Sequence, residues 1–224
     1  MSLTKFIKYL NSEENLIRTI FVSILSSFVV FGIIYFTKLK YIENFIPKYG
    51  IFLFFAILSY ALILSSVRHI RIYKNFPCMS GMMIGMTIGM FSGFLPGFYI
   101  GATNGMFYGS IFGMAIGILF GAWNGKCCGI MGIMEGIMAG FMGGLMGAMT
   151  ALMMFNENLK AMSVIIFAVS GIILIGLNYL IYKETREIEI KNKEDESFTI
   201  LWSILLALFT IWFMAFGPRS ILFS

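Results

Sequence analysis

Charge is scarce in this chain of 224 residues: Asp, Glu, Lys and Arg together make up 12%, against 59% hydrophobic residues and a mean hydropathy of +0.89. A soluble domain carries about 25% charged residues, so that class is excluded and the chain belongs in a bilayer. Histidine occurs once, which leaves no Ser/His/Asp set and no His pair for haem. No CxxC or HxxxH spacing offers a zinc site. Three cysteines are too few for a secreted disulfide scaffold. Four prolines exclude a collagen or a proline-rich linker, and hydrophobicity this high excludes disorder, because the chain would aggregate in water. With no nucleotide-binding loop either, neither an enzyme nor an ATP-driven pump is expected. The net charge of +5 is scattered between apolar runs, so it speaks to membrane topology rather than to nucleic acid, which is not an expected partner.

What the chain does have is long charge-free runs. Crossing about 30 Å of hydrocarbon takes about 20 helical residues. The runs predict seven spans: 16–37, 49–67, 77–95, 101–124, 128–155, 161–182 and 198–216. No charged residue occurs between Asn75 and Gly125, too long for one helix and right for a helical hairpin, with Pro96 near the turn. The expected fold is all-α, a polytopic transmembrane bundle in three parts. Residues 1–74 form a lead-in and two spans, 75–155 a Gly/Met-rich three-helix core, and 156–224 two further spans joined by the charged linker Lys183 to Ser197. The lead-in is polar and mildly amphipathic, with no cleavable signal evident.

Seven spans place the N-terminus and the second, fourth and sixth connections on one side, with Lys5, Lys8, Arg18, Arg68, Arg71, Lys74, Lys126, Lys183, Arg186, Lys191 and Lys193. Only Lys38, Lys40, Lys48, Lys160 and Arg219 lie opposite. Basic residues favour the cytoplasmic face, so the expected orientation in the inner cell membrane is N-terminus cytoplasmic and C-terminus outside.

Glycine recurs every fourth residue, without a break, from Gly81 through Gly85, Gly89, Gly93, Gly97, Gly101, Gly105, Gly109, Gly113, Gly117, Gly121 and Gly125 to Gly129. The phase then slips and resumes as Gly132, Gly136, Gly140 and Gly144, with Gly143 and Gly147 beside them. Glycine lowers helix propensity by about 1 kcal/mol relative to alanine, so this many must be compensated by close backbone approach, the contact that GxxxG supplies in membranes. Four residues advance 400° on a helix, so the stripe drifts about 40° per glycine. One straight partner cannot follow it. Either the helices cross at a right-handed angle or each ladder serves two neighbours, in a three-helix core or an oligomer. The remaining spans would form a Leu/Ile/Phe ring around that core. A homo-oligomer or another membrane subunit is the expected protein partner.

Fifteen of the 18 methionines lie between Met79 and Met154. Met82, Met86 and Met90, and Met134, Met138, Met142 and Met146, repeat at MxxxM, which stacks thioethers on one helix face. Thioether sulfur is a soft, neutral donor suited to Cu(I) or Ag(I), though methionine is also a flexible apolar filler. The expected topology brings Cys78, Cys127 and Cys128 to the cytoplasmic edge, near Met79, Met82, Met83 and Met131. Thiols there would be reduced and could join a low-coordinate Cu(I) site. No cofactor beyond Cu(I) is suggested, and His69, beside Arg68 and Arg71, reads as an interfacial residue. Glu135 is the one acid well inside a predicted span. Such a carboxylate either couples to a cation, bonds to Asn104, Asn124 or Thr103, or snorkels from the second turn of a late-starting helix.

The segments PCMSGMMIGMTIGM, GATNGMFYGS and KCCGIMGIMEGIMAGFMGGLMGAM, within residues 77–154, resemble a Met/Gly-rich segment of uncharacterised prokaryotic membrane proteins, some linked to copper handling. MxxxM combined with GxxxG is also similar to the Ctr-type copper transporters, in which methionine rungs line a pore and glycines pack a trimer. This chain has seven expected spans where those have three. It also carries both motifs on the same helices, so the resemblance implies only a soft-metal preference, at Met82, Met86 and Met90. The expected function is soft-metal transport or sequestration through a Met/Cys-lined glycine core; the competing readings are a structural or assembly protein and a pore without metal specificity.

Overall fold

The computed structural model describes residues 21–29, 32, 45–72, 78–126, 129–154, 158–185 and 196–217. All are helical or lie in turns and bends at helix ends. The helices are α1 (21–29), α2 (Phe45–Ile72), α3 (Cys78–Asn104), α4 (Met106–Gly125), α5 (Gly129–Met153), α6 (Leu159–Thr185) and α7 (Glu196–Phe216). Five stretches among them are long and apolar enough to cross a membrane: Gly50–Arg68, Met79–Asn104, Met106–Gly125, Gly129–Met153 and Leu159–Ile181. Helix α7 adds the shorter apolar stretch Leu201–Met214. By helix length and composition this is a multi-pass membrane protein. Most of the first expected span and most of the charged linker lie outside the described residues.

The reversal between α3 and α4 falls nine residues later than the proline suggests. Helix α3 runs on through Pro96, and the chain turns at Gly105, with φ 107° and ψ 167°. Proline removes one N–H from the helix ladder, a loss that membrane helices tolerate when neighbours pack around it. Glycine alone adopts the Gly105 conformation without strain. The Gly105 N–H donates to the Gly101 carbonyl over 3.2 Å, and its own carbonyl accepts the Gly109 N–H over 3.0 Å. One residue therefore ends α3 and starts α4. Gly129, at φ 69°, makes the corresponding entry into α5.

Helices α3, α4 and α5 form a tightly packed core. Helices α2, α6 and α7 lie against one side of it. Tyr60, Leu64, Ile57 and Leu53 of α2 pack with Ile84, Ile88, Leu95, Phe98 and Tyr99 of α3, with Leu177 and Ile181 of α6, and with Leu206 and Ile211 of α7, in one buried apolar cluster. Phe112 of α4 lies 5.3 Å from Phe213 of α7, ring to ring, and Phe120 lies 5.5 Å from Trp202. Among the described residues the flanking helices do not close a ring: α5 packs extensively only on α3 and α4. Its buried residues are Gly132, Gly136, Ala139, Gly140, Gly143, Gly144, Gly147, Ala148 and Ala151, all glycine or alanine.

The up-and-down order from α3 to α7 is visible in contacts at both ends. Trp123, near the end of α4, meets Trp202, near the start of α7, at 5.5 Å. At the opposite end the amide of Asn104, the last residue of α3, donates to the Phe213 carbonyl, near the end of α7, over 2.9 Å.

Candidate functional site

The glycines of the three core helices meet in matched rungs. A Cβ built on Gly85 would lie 3.0 Å from the Gly125 Cα and 3.6 Å from the Gly132 carbonyl oxygen. One turn on, Gly89 faces the Gly136 oxygen at 2.7 Å and the Gly121 Cα at 3.1 Å. Gly93 then faces the Gly140 oxygen at 2.7 Å, and Gly97 the Gly144 oxygen at 2.8 Å. Gly101 ends the series 3.0 Å from the Ala148 Cα, with Gly109 across from it. Each step of four up α3 is matched by four down α4 and four up α5. Apart from the Ala148 methyl, 3.3 Å from the Gly101 position, the neighbours in these rungs are backbone atoms, so no side chain larger than alanine's fits between the helices there.

The drift of a period-four stripe appears as a change of partner along each helix. On α4, Gly109 abuts Gly101 and Gly97 of α3, whereas Gly121 and Gly125 abut Gly136 and Gly132 of α5. On α5, Gly136, Gly140 and Gly144 press on α4, while the neighbouring Gly143 and Gly147 press on the Met90 and Phe94 backbones of α3. Each ladder serves two neighbours, which is how a stripe turning 40° per rung stays in contact. Gly81 is buried one turn below the first rung. Gly105, like Gly129 at the end of the ladder, has a positive φ and makes a turn, and the ladder keeps its period through it.

The sulfur lies on the other side of these helices. Met83, Met86 and Met90 of α3 and Met131, Met134, Met138, Met142 and Met146 of α5 are exposed, and Met82 is half-buried. A core whose backbones touch has no room for methionine along its axis. A sulfur-lined path through the centre of the three helices, the expected arrangement, is therefore replaced by a methionine face outside them. Of the thiols, Cys78 is the first residue of α3, though its side chain lies outside the described ones, as do Cys127 and Cys128. The residues that bracket the pair, Lys126 and Gly129, sit at the end of the bundle where α3 begins, next to the Gly85, Gly125 and Gly132 rung. His69 is in α2, with its side chain outside the described set. Among the described residues no three His, Cys, Asp or Glu side chains cluster as a metal site.

Glu135 is half-buried in the second turn of α5, between the Gly132 and Gly136 rungs. Its suggested partners are engaged elsewhere. Thr103 donates to the Asn104 side-chain oxygen over 2.8 Å, and the Asn104 amide goes to Phe213. Asn124 donates to the Phe120 carbonyl over 2.8 Å. Thr103 and Asn104 also lie beyond the Gly101 and Ala148 rung, which is 13 residues, or about 20 Å of helix, above Glu135.

Polar contacts between helices carry no motif in the sequence, as the Ser26 hydroxyl of α1, 3.2 Å from the Ser203 hydroxyl of α7, shows, and two more involve α3. The Asn104 bond to α7 is one. The other is Ser59 of α2, whose hydroxyl lies 3.2 Å from the Tyr99 hydroxyl of α3 in the buried interior. The only hint of either is a polar residue inside an apolar run, which does not name its partner. No protein-family model, no curated protein and no solved structure matches this chain.

Proposed function

We propose that this membrane protein handles a soft monovalent cation, Cu(I) or Ag(I), with Cys78, Cys127 and Cys128 capturing the ion at one end of the core and the outer methionines holding it in the membrane. The observation that carries this reading is the convergence of the cysteine-bearing chain ends. Cys78 opens α3, and Lys126 and Gly129, which bracket Cys127 and Cys128 in the sequence, sit at the same end of the bundle. Thiolates and thioethers are the donors that suit Cu(I), and zinc would want a closed four-ligand set. With the N-terminus in the cytoplasm of an inner membrane, this end faces a reducing compartment that keeps both thiols and cuprous ion reduced. The packed backbones along the axis favour sequestration, or movement over the outer face, above passage through the centre.

The test is metal analysis of the full chain, purified anaerobically and loaded with Cu(I), beside the C78S/C127S/C128S variant. The reading expects bound copper in the parent and a clear loss of stoichiometry in the variant. Equal copper in both, or none in the parent, would overturn it.

One observation favours a second reading, an assembly protein that docks a second copy or another membrane subunit. Apart from Glu135, the outer face of α5 is apolar, and it is uncovered by the described residues of its own chain. On that reading the copper content of the parent is zero, and the protein migrates as a complex in mild detergent.

A further inference from the structure

The outer face of α5 carries a line of side chains that glycine packing does not require. Residues 131, 135, 138, 142, 146, 149 and 153 are Met131, Glu135, Met138, Met142, Met146, Met149 and Met153. Their steps of four, three and four repeat as an eleven-residue unit, which at 100° per residue holds all seven within an arc of about 80°. The MxxxM ladder that starts at Met134 turns through about 120° over only four residues. The six methionines of the line are 45–68% exposed. From end to end the line covers about 33 Å, close to the thickness of the hydrocarbon layer.

Exposure to lipid does not account for this composition. The exposed large side chains of α6 are Val164, Ile165, Val169, Ile172, Ile173, Ile175 and Tyr179, and those of α7 are Leu201, Leu205, Leu208, Phe209 and Trp212. Neither helix turns a methionine outward in this way. The large apolar side chains that face outward on α6 and α7 are all branched or aromatic, whereas α5 exposes Met131, Met134, Met138, Met142, Met146, Met149 and Met153 beside Ile130, Ile137 and Phe141. Glu135 stands within the thioether line and makes no hydrogen bond or ion pair among the described residues. Met83 and Met86 of α3 are exposed at nearly the same depth, beside the Gly85 to Gly132 rung.

We infer that Met131, Glu135 and Met138 form the first binding position for the soft cation inside the membrane, at the foot of a thioether line running the length of α5. The inference rests on the proposed function and names the site that follows the cysteines. Glu135 has a thioether four residues before it and another three residues after it, both on its own face. The carboxylate matches one positive charge, so the ion and its site are together neutral where the dielectric falls. The neutral, polarisable thioethers complete the coordination. Above this position Met142, Met146, Met149 and Met153 offer sulfur alone.

The experiment is a titration of the purified full chain with Ag(I), a redox-inert stand-in for Cu(I), with X-ray absorption reporting the donor atoms. Four variants are compared in the C78S/C127S/C128S background: none further, E135Q, M131L/M138L and the control M106L, an exposed methionine on α4. Methionine to leucine conserves volume, and circular dichroism and gel filtration check that each variant folds. The inference expects silver bound by thioether sulfur in the triple-serine background, with affinity at least about tenfold weaker in E135Q and in M131L/M138L and unchanged in M106L. If the parent chain binds silver and the triple-serine background binds none, or if E135Q and M131L/M138L match M106L, the inference fails while capture by the cysteines stands. If the parent chain binds no silver, the proposed function fails with it.

Discussion

A Cβ on Gly117 of α4 would lie 2.8 Å from the Cα of Gly93 on α3 and 2.7 Å from the carbonyl oxygen of Gly140 on α5. Both neighbours are backbone, so neither can swing aside. Gly117→Ala should lower stability by about 1–3 kcal/mol, the range for overpacking a filled interior. Gly176→Ala on α6 is the control, because nothing lies within 4 Å of its Cβ position. There alanine's better helix propensity should leave stability unchanged or raise it by up to about 1 kcal/mol. Unfolding in mixed micelles with rising denaturing detergent measures both. Equal effects would mean that α4 is not wedged between its neighbours.

Gly105 reverses the chain in a single residue at φ 107°. Gly105→Ala forces a side chain into a region that only glycine occupies comfortably, at a cost of about 1–3 kcal/mol. The same unfolding measurement should show that loss even though position 105 lies outside the matched rungs.

Asn104 holds the α3 to α4 turn to the end of α7 through the Phe213 carbonyl. A Cβ on Gly217 would lie 2.6 Å from the Asn104 amide nitrogen, so both residues bear on one contact. Asn104→Ala should cost about 1–2 kcal/mol. Gly217→Ala should also destabilise, and the double variant should cost less than the two together, because neighbours that share a contact are not additive. A double-mutant cycle read by unfolding checks this; strict additivity would separate the two residues.

The three-helix core was legible in the sequence because the signal is extreme. A glycine at every fourth position has few uses in a membrane besides backbone contact, and the 40° drift per rung leaves two arrangements, a right-handed crossing or two neighbours for each ladder, of which the structure shows the second. The turn was less legible. Pro96 is the louder local signal, whereas Gly105 is indistinguishable from the other ladder glycines until its φ is known. On α5 the methionine ladder stands two residues, about 200°, from the Gly132, Gly136, Gly140 and Gly144 ladder, so spacing alone turns it away from the glycine face, toward lipid or another helix; the packing of Gly136, Gly140 and Gly144 on α4 shows which face is inside. The Asn104 to Phe213 and Ser59 to Tyr99 contacts join residues far apart in the chain, and nothing local in a sequence specifies such a partner.

The most direct measurement of the central arrangement, glycine inside and sulfur outside, is carbene photolabelling from the lipid phase, mapped residue by residue along α5. Label is expected on Met131, Met138, Met142, Met146 and Met153, and none on Gly136, Gly140, Gly144 or Ala148. Label on those glycines would contradict that arrangement, since it would put lipid where the backbones of α4 and α5 should touch.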